Sequence, residues 1–170
     1  NTSQCAEQQG KPNSDVETTV KHLKELELQN PCVSITMQTD EDSIVRSLFW
    51  TDARSRLDYE IFGDVLSFVS SYSTISHYML FTSISGMNEH GRTLVFGYAL
   101  LQDRKAETFK WMFQTFLHVM GGKMPRAIIT DQDEAIAKAS SEVMPQVKLR
   151  FCMFHVMRNA REKLGGFIAA

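Results

Sequence analysis

The chain has 170 residues, of which 43% are hydrophobic and 22% charged, and its formal net charge is −2. That is enough for one compact domain with a real core, and it excludes a cationic field over the whole surface, so any nucleic-acid contact must come from a local patch. No run of about 18 apolar residues occurs, which argues against a membrane-spanning helix. The three widely spaced cysteines, Cys5, Cys32 and Cys152, argue against a disulfide framework and for a reducing compartment.

Residues 1–13 are polar, contain Gly10 and Pro12, and read as a disordered segment or linker. The polar opening carries no secretory signal, and the absence of an initial Met reads as the interior of a longer protein. Ser14 opens the first predicted helix, with Glu17 at capping-box spacing. Val16, Val20, Leu23 and Leu26 form its apolar stripe, and Asn30-Pro31 ends it. Cys32 to Thr39 and Ile44 to Thr51 read as a hairpin turned by Asp40-Glu41-Asp42-Ser43, with Phe49-Trp50 packed on the main sheet.

A short helix follows, capped by Asp52 and ended by Gly63. The stretch Gly63–Tyr72 then reads as a central strand. Val65, Leu66, Phe68 and Val69 give it apolar bulk on both faces, which predicts cover on two sides. Tyr78–Gly86 and Arg92–Leu101 are two further strands turned through Asn88-Glu89-His90-Gly91. Residues 104–120 predict a long amphipathic helix, because Phe109, Met112, Phe113, Phe116, Leu117 and Met120 recur at helical spacing. This stripe reads as core, and Gly121-Gly122 as a left-handed stop.

Ala127–Thr130 is the fourth strand of this set, parallel to the first through a right-handed crossover. Asp131 or Asp133 caps the next helix, which presents Ala135, Ile136, Ala139 and Val143 to the core. Val147–Phe151 is a fifth strand, and a last helix over Met153–Leu164 is closed by Gly165-Gly166. The expected fold class is α/β: a mixed five-stranded sheet flanked by helices, with the skeleton of a ribonuclease-H-like domain, incomplete at the C-terminus. The expected units are a linker over 1–13, a separate N-terminal helix and hairpin over 14–51, and the main domain over 52–170.

Several runs carry a family resemblance: Phe49 through Arg56, Tyr59 through Phe68, Ala99-Leu100-Leu101, Met120-Gly121-Gly122-Lys123, Ile128 through Asp133, and Cys152-Met153-Phe154-His155. Their order and spacing resemble the Mutator-like element (MULE) transposase domain. More narrowly, they resemble its domesticated form in the plant far-red-impaired-response and far-red-elongated-hypocotyl transcription factors. The resemblance implies a nuclear protein descended from a DDE transposase. It also implies zinc modules on either side, an N-terminal DNA-binding finger and a C-terminal SWIM finger, neither within these residues.

DDE enzymes hold two divalent metals with three carboxylates and work mainly by positioning and charge neutralisation. The family pattern places the first acid on the central strand, at the position held here by Val69, which cannot bind a metal. Asp64 does not replace it, being five residues earlier and thus on the other face of a strand, about 16 Å away. The second acid maps onto Asp131, whose alternative reading is a helix cap. The third is expected beyond the Cys-x-x-His region and is not assigned, and Glu107 reads as a surface residue. Cys152 and His155 match that motif and are weak zinc candidates, since tetrahedral zinc needs more ligands. The alternative is a buried thiol and a partly buried imidazole. His22, His77, His90 and His118 show no ligand spacing. Lys148, Arg150, Arg158, Arg161 and Lys163 form the one basic cluster suited to nucleic acid, or else a solvated helix face. Two further departures are Ile75, where the family has Asn, and Arg104, where it has an acid.

The resemblance, taken with Val69 at the first-acid position, implies a non-catalytic, transposase-derived domain of a nuclear transcription regulator, with a part in light signalling. It would act through protein partners, including homo- or heterodimers with family members. DNA would be met mainly through modules outside this chain, no membrane is involved, zinc belongs to those outer modules, and magnesium is not expected. The competing readings are an active Mutator-type DNA transposase and a degenerate transposon remnant.

Overall fold

The computed structural model describes residues 14–72 and 79–168. The linker reading of 1–13, the departure at Ile75 and the histidine His77 lie outside the described residues, as do the side chains of Ser14, Ser71 and Tyr72. Helix α1 (Ser14–Gln29) leads into the hairpin β1 (Ser34–Thr39) and β2 (Val45–Thr51). Helix α2 (Ala53–Phe62) precedes three strands, β3 (Val65–Tyr72), β4 (Leu80–Met87) and β5 (Thr93–Leu101). Then come α3 (Ala106–Val119), β6 (Ala127–Thr130), α4 (Glu134–Val143), β7 (Lys148–Phe151) and α5 (Met153–Ile168).

Local chemistry sets the ends of these elements. The Asp52 carboxylate accepts the Ser55 N–H at 2.7 Å and starts α2. Gly63 turns the chain into β3 because a Cβ there would lie 2.4 Å from the Tyr59 ring. Gly121 and Gly122, at φ 72° and 79°, take the left-handed turn after α3 that L-residues with a Cβ resist. In the β1–β2 turn the Asp40 carboxylate accepts the Ile44 N–H at 2.8 Å and pairs with Arg46.

All the strands join one sheet, in the order β1-β2-β5-β4-β3-β6-β7. The described residues therefore form a seven-stranded sheet, not five strands with a separate hairpin. Strand β2 pairs antiparallel with β5, Phe49 opposite Ala99 and Trp50 opposite Tyr98. The physical reason is burial. Phe49 is 0% exposed and meets Phe116 of α3 edge-to-face at 6.2 Å, so the hairpin contributes to the main core. Gly97 leaves room for it, since a Cβ there would come within 2.8 Å of the Phe49 ring. Trp50 points to the other face and stacks on Tyr98 at 5.5 Å.

Strand β3 lies where the sequence places it, antiparallel to β4 and parallel to β6, Ser67 opposite Ile129. Its two faces differ, contrary to the expectation of cover on both sides. Leu66 and Phe68 are each 2% exposed, whereas Val65 is 45% and Val69 41% exposed. Helices α2, α3 and α4 all pack on the Leu66 face, where Tyr59, Phe68, Phe96, Phe109, Phe113, Phe116 and Ile136 form the larger core. On the other face α1 brings Val16 and Leu23 against Leu48, Met79 and Leu100, and its cover stops short of β3. Helix α5 also departs from expectation, continuing through Gly165-Gly166 to Ile168. Glycine inside a helix costs about 1 kcal/mol relative to alanine and does not by itself stop one.

The placement of Phe49 predicts that Phe49→Ala costs about 3–5 kcal/mol, the usual range for emptying a buried aromatic site. Urea denaturation should show one cooperative transition moved to lower denaturant. A separate hairpin would instead leave the main transition unmoved.

Candidate functional site

Because β3, β6 and β7 run parallel, and β5 runs antiparallel to β4, the chain leaves β3, β5, β6 and β7 at one edge of the sheet. Carboxyl ends of strands are where α/β sheets place ligands. The parallel pairing of β3 with β6 runs as far as Ser67↔Ile129. Val69 is a neutral, half-exposed side chain two residues beyond the last β3–β6 pair, and Asp131 follows the last residue of β6.

Two acids lie at the exit of β6. Asp133 is the cap of α4, its Oδ1 accepting the N–H groups of Ala135 at 2.8 Å and Ile136 at 3.3 Å. Asp131 is free of that duty, so the capping alternative falls to Asp133. The Asp131 carboxylate meets Arg104 instead: Nη2 donates to Asp131 Oδ2 at 3.3 Å and to Asp133 Oδ2 at 2.7 Å, and Nε donates to Asp133 Oδ2 at 3.0 Å. Burial alone would lower the Arg104 pKa, but the two carboxylates overcome it and raise the value. The sequence marks Arg104 only as a departure. Its partners lie 27 and 29 residues away, across a whole crossover, and no local spacing announces them.

The loop that carries Arg104 is fixed by its neighbour. Asp103 Oδ1 accepts the Lys105 N–H at 3.0 Å and the Thr108 hydroxyl at 2.6 Å. Partial burial would raise the Asp103 pKa, yet these hydrogen bonds and the Lys105 charge hold it below the ordinary carboxylate value.

The remaining sequence candidates divide. The Cys152 N–H donates to the Thr130 carbonyl at 2.7 Å, and its thiol is free and partly buried. His155 is partly buried with an Nδ1 that has no hydrogen-bond partner among the described residues. Among the described residues no three His, Cys, Asp or Glu side chains converge as a metal site, so these two find no further ligands there. Lys148 and Arg150 lie on the open face of β7, opposite Ala127 and Ile129. Arg158, Arg161 and Lys163 lie exposed on α5, with Arg158 3.8 Å from Glu162. The basic cluster is thus split between a strand and a helix. Glu107 is exposed on α3, and His22, His90 and His118 are exposed and scattered.

Residues 65–159 match the family model described as the MULE transposase domain. The chain belongs to this family. It is 35% identical over 148 residues to Protein FAR-RED IMPAIRED RESPONSE 1 of Arabidopsis thaliana, covering 87% of the chain and 18% of that protein. It is 31% identical to Protein FAR1-RELATED SEQUENCE 5, over 88% of the chain and 19% of the relative, and 34% identical to Protein FAR1-RELATED SEQUENCE 9, over 89% and 27%. Both are also from Arabidopsis thaliana. The chain thus spans about a fifth to a quarter of the length of these relatives. The matched MULE segment contains Val69, Arg104, Asp131, Cys152 and His155. Among the described residues no helix is long and apolar enough to cross a membrane.

The division of labour at the exit of β6 gives two expected outcomes. Asp133→Ala removes the cap and a charged partner and should cost about 1–2 kcal/mol in urea denaturation. Asp131→Asn, which touches neither α4 amide, should cost less than half as much. The second outcome concerns acid. Asp103 has a depressed pKa in the folded state, so its contribution is present above the unfolded value near 3.9 and is lost as pH falls through the folded value. The stability gap between wild type and Asp103→Asn should therefore be open at about pH 6 and close below about pH 4.

Proposed function

We propose that this segment is the non-catalytic, transposase-derived domain of a nuclear transcription regulator, built on a ribonuclease-H-like sheet. The order β5-β4-β3-β6-β7, with an antiparallel trio followed by two parallel strands, supports that fold reading. The observation that carries the functional reading is the apolar, half-exposed Val69 on β3, the strand that pairs parallel with β6 up to Ser67↔Ile129, with Asp131 directly after the end of β6. A two-metal DDE centre needs carboxylates from neighbouring strands to bridge the cations, and here one neighbour offers an isopropyl group.

The donor set fits such a centre poorly. Val69 has no lone pair to offer, and Asp131 and Asp133 already share one guanidinium. Magnesium takes oxygen ligands in near-octahedral geometry, and this edge provides no array of them among the described residues. The name of one relative, FAR-RED IMPAIRED RESPONSE 1, refers to an impaired far-red response, and a role in light-dependent gene regulation is the corresponding reading for this chain. It would act through protein association, including homo- or heterodimers with family members, and meet DNA chiefly through zinc modules elsewhere in the protein. Lys148, Arg150, Arg158, Arg161 and Lys163 would add backbone contact.

A strand-cleavage assay on DNA with magnesium or manganese tests this reading, beside an Asp131→Ala control. No metal-dependent cleavage is expected from either protein. Cleavage by wild type that disappears in Asp131→Ala would refute the proposal and favour an active Mutator-type transposase. A fluorescent fusion should concentrate in nuclei, and exclusion from them would remove the regulator reading.

A further inference from the structure

We propose that Arg104 is the resident cation of this edge. Its guanidinium takes the place between Asp131 and Asp133 that a divalent ion would need, and by doing so it locks the entry of α3 onto the start of α4. The proposal deepens the non-catalytic reading, and its experiment fails separately from the cleavage assay.

The geometry is that of a fork held by two acids. Nη2 reaches both carboxylates, at 3.3 and 2.7 Å, and Nε returns to Asp133 at 3.0 Å. Such planar, charge-assisted bonds fix orientation as well as charge. The second oxygen of each acid is also engaged. Asp133 Oδ1 holds the α4 amides, and Asp131 Oδ1 lies 3.3 Å from the hydroxyl of Thr130, a residue 1% exposed. On the other side, Asp103 holds the loop in place through Lys105 and Thr108 and so sets the base from which Arg104 extends.

The side chains of Arg104, Asp131 and Asp133 are 31%, 27% and 15% exposed. The cluster is partly removed from water, and taking away its cation would leave two carboxylates facing each other with reduced solvation. In the sheet, β5 and β6 are separated by β4 and β3. The guanidinium therefore ties together two connections that strand pairing does not join. A lone divalent ion could neutralise the same acids. With Arg104 present, it would have to displace a cation already covalently part of the chain.

The test is thermal melting of the purified chain, with and without millimolar manganese, for wild type, Arg104→Met, Arg104→Lys and the double variant Arg104→Met with Asp131→Asn. Wild type should not respond to manganese. Arg104→Met should melt lower by about 3–6 °C, in line with the loss of a partly buried pair in a domain of this size. Manganese should recover at least half of that loss and broaden the amide signals of residues 131–135, which it leaves sharp in wild type. Arg104→Lys should fall between the two and be less sensitive to manganese than Arg104→Met, and the double variant should lose the recovery. A merely structural salt bridge would give the lower melting point with no recovery by metal, and that result overturns the proposal. So does an Arg104→Met protein that melts like wild type, or a wild type that gains as much from manganese as the variant. If Arg104→Met does not fold in metal-free buffer, folding on addition of manganese supports the proposal and failure to fold counts against it. A failed melting test without cleavage in the earlier assay would remove this proposal alone, whereas cleavage that disappears in Asp131→Ala would remove the non-catalytic reading on which it rests.

Discussion

The parallel pairing of β3 with β6 is the constraint on which the rest depends. Parallel neighbours cannot be joined by a tight turn, so the chain must cross the sheet between them, and it does so through α3. The apolar stripe of that helix, Phe109, Met112, Phe113, Phe116 and Leu117, becomes the floor of the larger core. The same pairing brings the exits of β3 and β6 together at one edge, and the parallel partner β7 adds its own. The reach of Arg104 to Asp131 and Asp133 takes place at that edge.

A second consequence is the inequality of the two faces. With α2, α3 and α4 on one side, aromatic rings concentrate there. Tyr59 meets Phe96 at 5.2 Å and Phe116 at 5.0 Å, both edge-on, and Phe68 lies 5.4 Å from Phe113. Such contacts add to area burial through the quadrupoles of the rings. Tyr59 also donates its hydroxyl proton to the Lys123 carbonyl at 2.8 Å, and burial first, then the nearby Asp64 charge, raises its pKa. On the opposite face α1 covers the hairpin end of the sheet and leaves Val65 and Val69 half exposed. The hairpin serves both sides, because successive residues of β2 point alternately up and down: Phe49 enters the larger core and Leu48 the smaller.

Electrostatics at the carboxyl edge follows the same logic of enforced proximity. Asp131 and Asp133 leave β6 two residues apart, and the cap of α4 fixes one of them. Their negative charge is answered from within the chain by Arg104. The edge of this MULE domain that carries these two acids is charge-compensated from within the chain.

Much of this molecule was legible in one dimension because its signals are local. Asp52 capping α2, the glycine stop after α3, the core stripe of α3 and the strand Ala127–Thr130 each depend on neighbours within a turn or two. The family was legible too, since its motifs are runs of adjacent letters, and so was the absence of an acid at position 69. Three things needed the tertiary structure. The hairpin joins the main sheet because Phe49 finds Phe116, 67 positions later in the sequence, and hydrophobic burial has no regard for sequence separation. Val69 is half exposed because cover of a strand is decided by which face the crossover helices take, and all of them here take the same one. Arg104 compensates Asp131 and Asp133 because folding brings the exits of β5 and β6 within the length of one side chain, a distance that residue spacing along the chain does not encode.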